Sequence, residues 1–338
     1  RADGSYETVA PPPPATYRGA FIDDPDLAVV ASLGTDGLSA TVFPIGGEPW
    51  TIRPAASGRN RHAVGAPVEA PFDAGRGPCG ICASPAVHDG FTGEAVGQAG
   101  ADDASDGRAP SPPTGSAAPA IGPACQHLCE IAFDADFEYY LLKGASVPNV
   151  VAQIDAHMNE VDFFYARDLN VSYSITHYLV RTAPFYTPTT GGDLLNQFRS
   201  EWNTTQAGIT RDIAHLMTDK PGSIIEYGGL AWVGVVCTNS GYGWSRDGAN
   251  IIGHEIGHNW NAPHCLDPEP CNTMCGACFN IGPITRQVMI AHRDSRSCLD
   301  LIGPYPEPLP PYASIDTATV RRHDYDATGP IAFDVLAN

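Results

Sequence analysis

Three histidines and a glutamate stand close together in one stretch of the chain: His254, Glu255, His258 and His264, within the run GHEIGHNWNAPH at 253–264. On a helix, residues four apart project from the same face one turn apart, so His254 and His258 have the spacing at which two imidazoles share one zinc ion. Glu255 adjoins the first of them, where its carboxylate can take a proton from a water whose pKa zinc lowers to about 7. That is the machinery of peptide-bond hydrolysis, with a fourth position on the metal left for water. His264 can be the third ligand only if the chain leaves the helix and doubles back, and Asn261 sits where that reversal must occur. Asparagine tolerates the left-handed backbone region best after glycine, and Pro263 biases Ala262 away from helix. Gly253 and Gly257 fall inside the expected helix at a cost of about 1 kcal/mol each against alanine, which needs a packing or functional reason. Two histidines and a glutamate alone are a weak signal, because a solvated helix face can carry them; the third histidine sharpens it.

The elements that must hold this helix lie mostly in residues 125–302, where the periodic signals concentrate. Residues 131–140 alternate as a strand does, and 147–169 have helical spacing through Val151, Ile154, Met158, Val161 and Phe164. Residues 171–180 are rich in β-branched and aromatic side chains, 194–202 read as helix, and 230–237 form an apolar run ended by Thr-Asn-Ser-Gly. A further helix is expected over 284–293, with Met289 in its core face. Strands alternating with helices predict an α/β fold. Before this unit, residues 1–96 read as strands and turns, and 97–124 are nearly all Ala, Gly, Ser, Pro and Asp, a low-complexity linker. After it, residues 303–338 open on alternating prolines, a stiff exit, and end like the truncated start of a C-terminal module.

Composition narrows the functional classes. The 338 residues carry 38 Asp+Glu against 19 Lys+Arg, a net charge of −19 that repels phosphate backbones and anionic headgroups, so nucleic acid is excluded as a partner. No apolar run approaches the roughly 18 residues needed to cross a bilayer. Ten cysteines in an acidic, Gly- and Pro-rich chain fit an oxidising compartment, and the expectation is a secreted protein acting as a monomer.

The run from His254 to His264 resembles the metzincin metalloproteases, whose motif is H-E-x-x-H-x-x-G-x-x-H followed by a Met-turn. Here Asn261 stands in the glycine place and Met274, in Cys-Asn-Thr-Met-Cys at 271–275, is similar to the Met-turn residue that forms an apolar floor beneath the zinc. The resemblance is to the bacterial, secreted members of the reprolysin (adamalysin) branch and spans about 125–302, departing at Asn261 and at Cys265. It implies a mixed, mostly parallel five-stranded sheet with an active-site helix and Met-turn, preceded by a propeptide-like region. It also implies that 230–236 is an edge strand along which substrate lies, with Leu230, Ala231, Trp232, Val233 and Gly234 as its contacts; an ordinary buried strand fits the same run. Cys237 would pair with Cys298, and Cys265, Cys271, Cys275 and Cys278 would form two local bridges of undetermined connectivity, or else a second zinc site. Pro78-Cys79-Gly80 resembles a cysteine switch, in which a thiolate fills the open zinc position; the even count of Cys79, Cys82, Cys125 and Cys129 equally allows disulfides, or a four-cysteine zinc site. Glu130 and Asp134 could join a structural calcium site of the kind the branch carries, or be surface carboxylates.

The expected protein is therefore a zinc endopeptidase acting on proteins or peptides, with zinc on His254, His258 and His264 and Glu255 as general base. The rival from another class is a catalytically silent zinc-binding adhesion module of the same fold, which would have no use for a base beside the metal.

Overall fold

The computed structural model describes residues 7–10, 12, 15–21, 24, 26–34, 37–45, 49–54, 62–65, 126–225, 227–267, 272–276 and 278–302. The chain begins with an antiparallel meander in sequential order: β1 (Thr16–Ala20), β2 (Leu27–Gly34), β3 (Gly37–Pro44), β4 (Trp50–Pro54) and β5 (His62–Gly65). Its two faces separate by the period of the strand. Ala40, Val42 and Ile52 make a small cluster on one side, while Val30 and Phe43 enter the core of the following unit from the other.

That unit is a mixed sheet between layers of helices. Central β6 (Gln126–Ala135) has β7 (Val171–Val180) parallel on one edge and β8 (Ile213–Met217) parallel on the other; β10 (Tyr242–Ser245) continues parallel to β8, and short β9 (Gly229–Ala231) closes the sheet antiparallel. A sixth strand, β11 (Asp300–Ile302), pairs antiparallel with the first residues of β6, so the sheet has one strand more than the five expected. Parallel strands need long crossovers, supplied by α2 (Val147–Leu169) between β6 and its neighbour β7 and by α3 (Gly191–Thr204) from β7 across β6 to β8. Along β6, Ile131, Phe133 and Ala135 face the core shared with α2 and the helix carrying the histidines, whereas Ala132 faces Phe198 and Trp202 of α3.

Local chemistry sets the ends of these elements. The expected strand over 131–140 stops at Ala135, because the Asp136 carboxylate accepts the Tyr139 N–H at 2.8 Å and starts α1 (Phe137–Leu142). For α2 the expected span holds residue for residue: Ser146 caps it, Pro148 lies in its first turn, and Asn170 at φ 56° ends it in the left-handed conformation. The run at 230–237 departs most from expectation. Only Leu230 and Ala231 lie in β9, and Trp232 onward turns back to cap the helix behind it. Asp134 is also not a cation ligand: it is fully buried and accepts from Arg181, Tyr186 and the Trp202 indole.

Candidate metal centre

The histidines lie on α4 (Ala249–Asn259), every residue of which is buried. The loop entering it is pinned at Asp247, which accepts from the Tyr139 hydroxyl at 2.7 Å and the Lys143 ammonium at 2.5 Å and pairs with His157 Nε2 at 2.7 Å. The two glycines within the helix mark close approaches. A Cβ on Gly253 would stand 2.6 Å from Phe164 Cζ, and one on Gly257 would stand 2.4 Å from Met274 Sδ, so the reason for both is packing. The Tyr165 hydroxyl donates to Gly253 O at 2.7 Å, fixing α4 to α2 from the same side.

After Asn259 the helix ends as the sequence suggests. Asn261 takes φ 73°, its N–H donates to His258 O, and the Ala262 N–H donates to Gly257 O, which reverses the chain and returns His264 to the helix. Its Nε2 then lies 3.1 Å from His254 Nε2 and 3.0 Å from His258 Nε2. Nitrogens set about 2.0–2.1 Å from a tetrahedral zinc are roughly 3.3 Å apart, so the three rings already have nearly the spacing such an ion requires. Their tautomers fit as well. His254 Nδ1 faces Thr273 O at 2.7 Å and His258 Nδ1 faces Ala262 O at 2.8 Å; a carbonyl only accepts, so each Nδ1 carries the proton and each Nε2 turns a lone pair to the centre. Burial, with His264 adding to it, lowers the His254 pKa to about 3, which keeps that ring neutral and able to ligate at physiological pH. Among the described residues, a second group, Asp212, Cys237 and Cys298, is close enough to hold an ion, but its two sulfurs are joined as a disulfide.

Glu255 is fully buried beside this centre. What positions it was not read from the sequence: a Cβ at Gly229 would lie 2.5 Å from the Glu255 Cγ and Oε1, so only glycine lets β9 pass the carboxylate. The one hint is the Gly-Gly pair that precedes the apolar run. β9 is the terminal strand of its sheet. The Trp232 N–H donates to Tyr242 O and the Arg246 N–H to Gly228 O, so residues 228, 230 and 232 turn their peptide groups inward to β10 while Gly229 and Ala231 turn theirs to the edge. Trp232, through its carbonyl, and Gly234 also serve α4. Trp232 O accepts from Asn259 Nδ2 at 2.9 Å, and the Gly234 N–H donates to His258 O at 2.9 Å; Val233 is exposed.

Met274 is buried in the short helix α5 (Thr273–Gly276), against Gly257 of α4. The Cys265–Cys275 disulfide and the Cys265 N–H donated to Met274 O tie this turn to the segment just after His264. Cys278 is disulfide-bonded as well, and Cys271 lies outside the described residues. The Cys237–Cys298 bridge forms as expected. Cys79, Cys82 and Cys125 lie outside the described residues, while Cys129 holds a free, fully buried thiol, so it does not join the expected pairing.

Residues 126–287 match the family model Reprolysin_5, metallo-peptidase family M12. The chain carries a metzincin-type metalloprotease domain. Its three histidines form a group able to hold a metal ion. No curated protein matches the chain. A solved structure described as "Structure of a chaperone-substrate complex" resembles it with a TM-score of 0.41 and 14% identity over 49% of this chain. The chain spans only 34% of that structure's length, and at such a score the likeness identifies neither fold nor function. Among the described residues, no helix is long and apolar enough to cross a membrane.

Proposed function

We propose that the protein is a secreted zinc-dependent endopeptidase of the bacterial reprolysin-like branch. One observation carries this reading: the three imidazole Nε2 atoms converge beside a buried glutamate, and that glutamate touches a sheet edge whose peptide groups at Gly229 and Ala231 face outward. His254, His258 and His264 would hold the zinc, with Met274 in the Met-turn as the apolar support behind α4. Zinc bound there supplies Lewis acidity toward the scissile carbonyl and lowers the pKa of water to near 7.

The chain's own residues do the rest. An extended peptide adds to β9 through the outward groups of Gly229 and Ala231, which fixes its register and carries one peptide bond past Glu255. Glu255 takes the proton from the attacking water and returns it to the leaving amine, its fully buried carboxylate strengthened as a base by the low local dielectric. Leu230, half-buried between these two contacts, offers its side chain to the substrate; Trp232 and Gly234 shape the site indirectly by holding the end of α4.

In this reading residues 1–96 form a pro-region, 97–124 a linker, 125–302 the catalytic domain and 303–338 a Pro-rich exit. The disulfides at Cys237–Cys298 and Cys265–Cys275 support an oxidising, extracellular setting. The test is metal analysis of the purified protein combined with cleavage of a peptide library. Zinc bound at one per chain with cleavage abolished by a chelator and restored by zinc supports the proposal; bound zinc with no cleavage of any peptide means an adhesion module instead.

A further inference from the structure

The meander of β1–β5 contributes to the same buried core as the site. Val30 and Phe43 belong to one cluster with Phe164, Ile256 and Met274. Phe43 sits in a notch of the metzincin domain, its ring centroid 4.7 Å from that of Phe163 on α2 and 5.9 Å from that of Phe279, which follows α5. Polar contacts ring this anchor. Arg18 donates through Nε to Asn159 Oδ1 at 2.7 Å and pairs with Asp162 at 2.7 Å, while Asn159 Nδ2 donates back to the carbonyls of Tyr17 and Ala31. Thr41, cross-strand partner of Val30, donates to Glu160 at 3.0 Å. Burial raises the Asp162 pKa, and Arg18 is the first of the groups that oppose that rise.

The position of this contact matters as much as its content. α2 lies between the meander and α4: Phe163 meets Phe43, and the next residue, Phe164, meets α4 at Gly253. Opening the cleft at β9 and Glu255 therefore does not require the meander to leave. An apolar anchor ringed by partly buried, charge-assisted hydrogen bonds is the composition of an interface that holds without a covalent link.

We propose that the face of α2 bearing Asn159, Glu160, Asp162 and Phe163 is a binding site for the meander of strands β1–β5, and that these strands stay bound, non-covalently, after the chain between the two units is cut. The first cysteine of the sequence is Cys79, so a cut before it releases a fragment that no disulfide can tether. The experiment uses the full chain with Glu255→Gln to prevent self-cleavage and a sequence-specific protease site substituted within residues 66–76. After complete cutting, gel filtration at about 1 μM should give one peak containing both fragments. With Arg18→Glu and Phe43→Asp together, the cut fragments should elute apart. Two separate peaks from the otherwise unaltered protein overturn the proposal, as does a double variant that stays together like its parent. Should the double variant fail to fold before cutting, Arg18→Ala decides: it should release a larger share of the fragment than the parent, and equal retention removes the polar ring from the account. None of these readouts depends on peptidase activity.

Discussion

Replacing Gly229 by alanine should separate catalysis from metal binding. The new Cβ would lie 2.5 Å from the Cγ and Oε1 of Glu255 and 2.6 Å from its Cδ, whereas ordinary contact begins near 3.4 Å. Either the carboxylate or the edge strand must yield by roughly 1 Å, the scale on which misplacing a catalytic group costs about 10²-fold in rate. At 1.36 kcal/mol per tenfold, that is about 2.7 kcal/mol of lost transition-state stabilisation. Global stability should fall by up to about 2.5 kcal/mol, since local overpacking costs roughly 1–3 kcal/mol and alanine's restriction of the unfolded chain offsets only about 0.4–1 kcal/mol. None of the three histidines is touched, so bound zinc should stay at one per chain. The assay is kcat/KM on a peptide substrate together with zinc content, with Gly208→Ala, whose Cβ would meet nothing within 4 Å, as the silent control. A Gly229→Ala enzyme within about twofold of wild type would mean that Glu255 does not work from this position.

Other substitutions test the packing and the turn. Gly253→Ala should lower the urea midpoint despite a helix-propensity gain of about 1 kcal/mol, because the methyl group would drive into the buried ring of Phe164; a stabilised variant refutes that contact. Asn261 at φ 73° predicts that Asn261→Gly holds zinc as well as wild type in a chelator competition, while Asn261→Val loses about 1–2 kcal/mol of affinity; equal retention by the valine variant would show that the left-handed turn does not place His264. Burial raises the Asp136 pKa from 3.8 to about 7. Its folded form therefore binds more protons than its unfolded form in that window, and its contribution to stability falls as pH rises from about 4 to 7. Asp136→Asn keeps the helix cap, so its stability relative to wild type should climb across that range; a difference independent of pH contradicts the raised pKa.

How much of this was legible in the sequence depended on whether the signal was local. The span of α2 followed from the helical spacing of Val151, Ile154, Met158, Val161 and Phe164, and the Ser146 cap and left-handed Asn170 that fix its ends also act within a few residues. The grouping of the three histidines followed likewise from helical spacing and from the tolerance of Asn261 for positive φ. The strand expected over 131–140 ran too long because alternation continues past Ala135, while the cap at Asp136 outweighs it. The apolar run at 230–237 misled for a different reason: Val236 is buried against the end of α4, not within the sheet, and composition cannot tell those fates apart. The role of Gly229 beside Glu255, and the entry of Val30 and Phe43 into the metzincin core, are contacts between distant parts of the chain that no local pattern announces.

The central claim is that Glu255 is the base beside a three-histidine zinc site, and the Glu255→Gln protein tests it most directly. Glutamine keeps the side chain's size and leaves His254, His258 and His264 in place, so zinc content should remain one per chain while peptide turnover falls by about 10²–10⁴-fold, the range that general-base catalysis supplies. A glutamine variant that binds zinc and cleaves peptide at the wild-type rate would contradict the account.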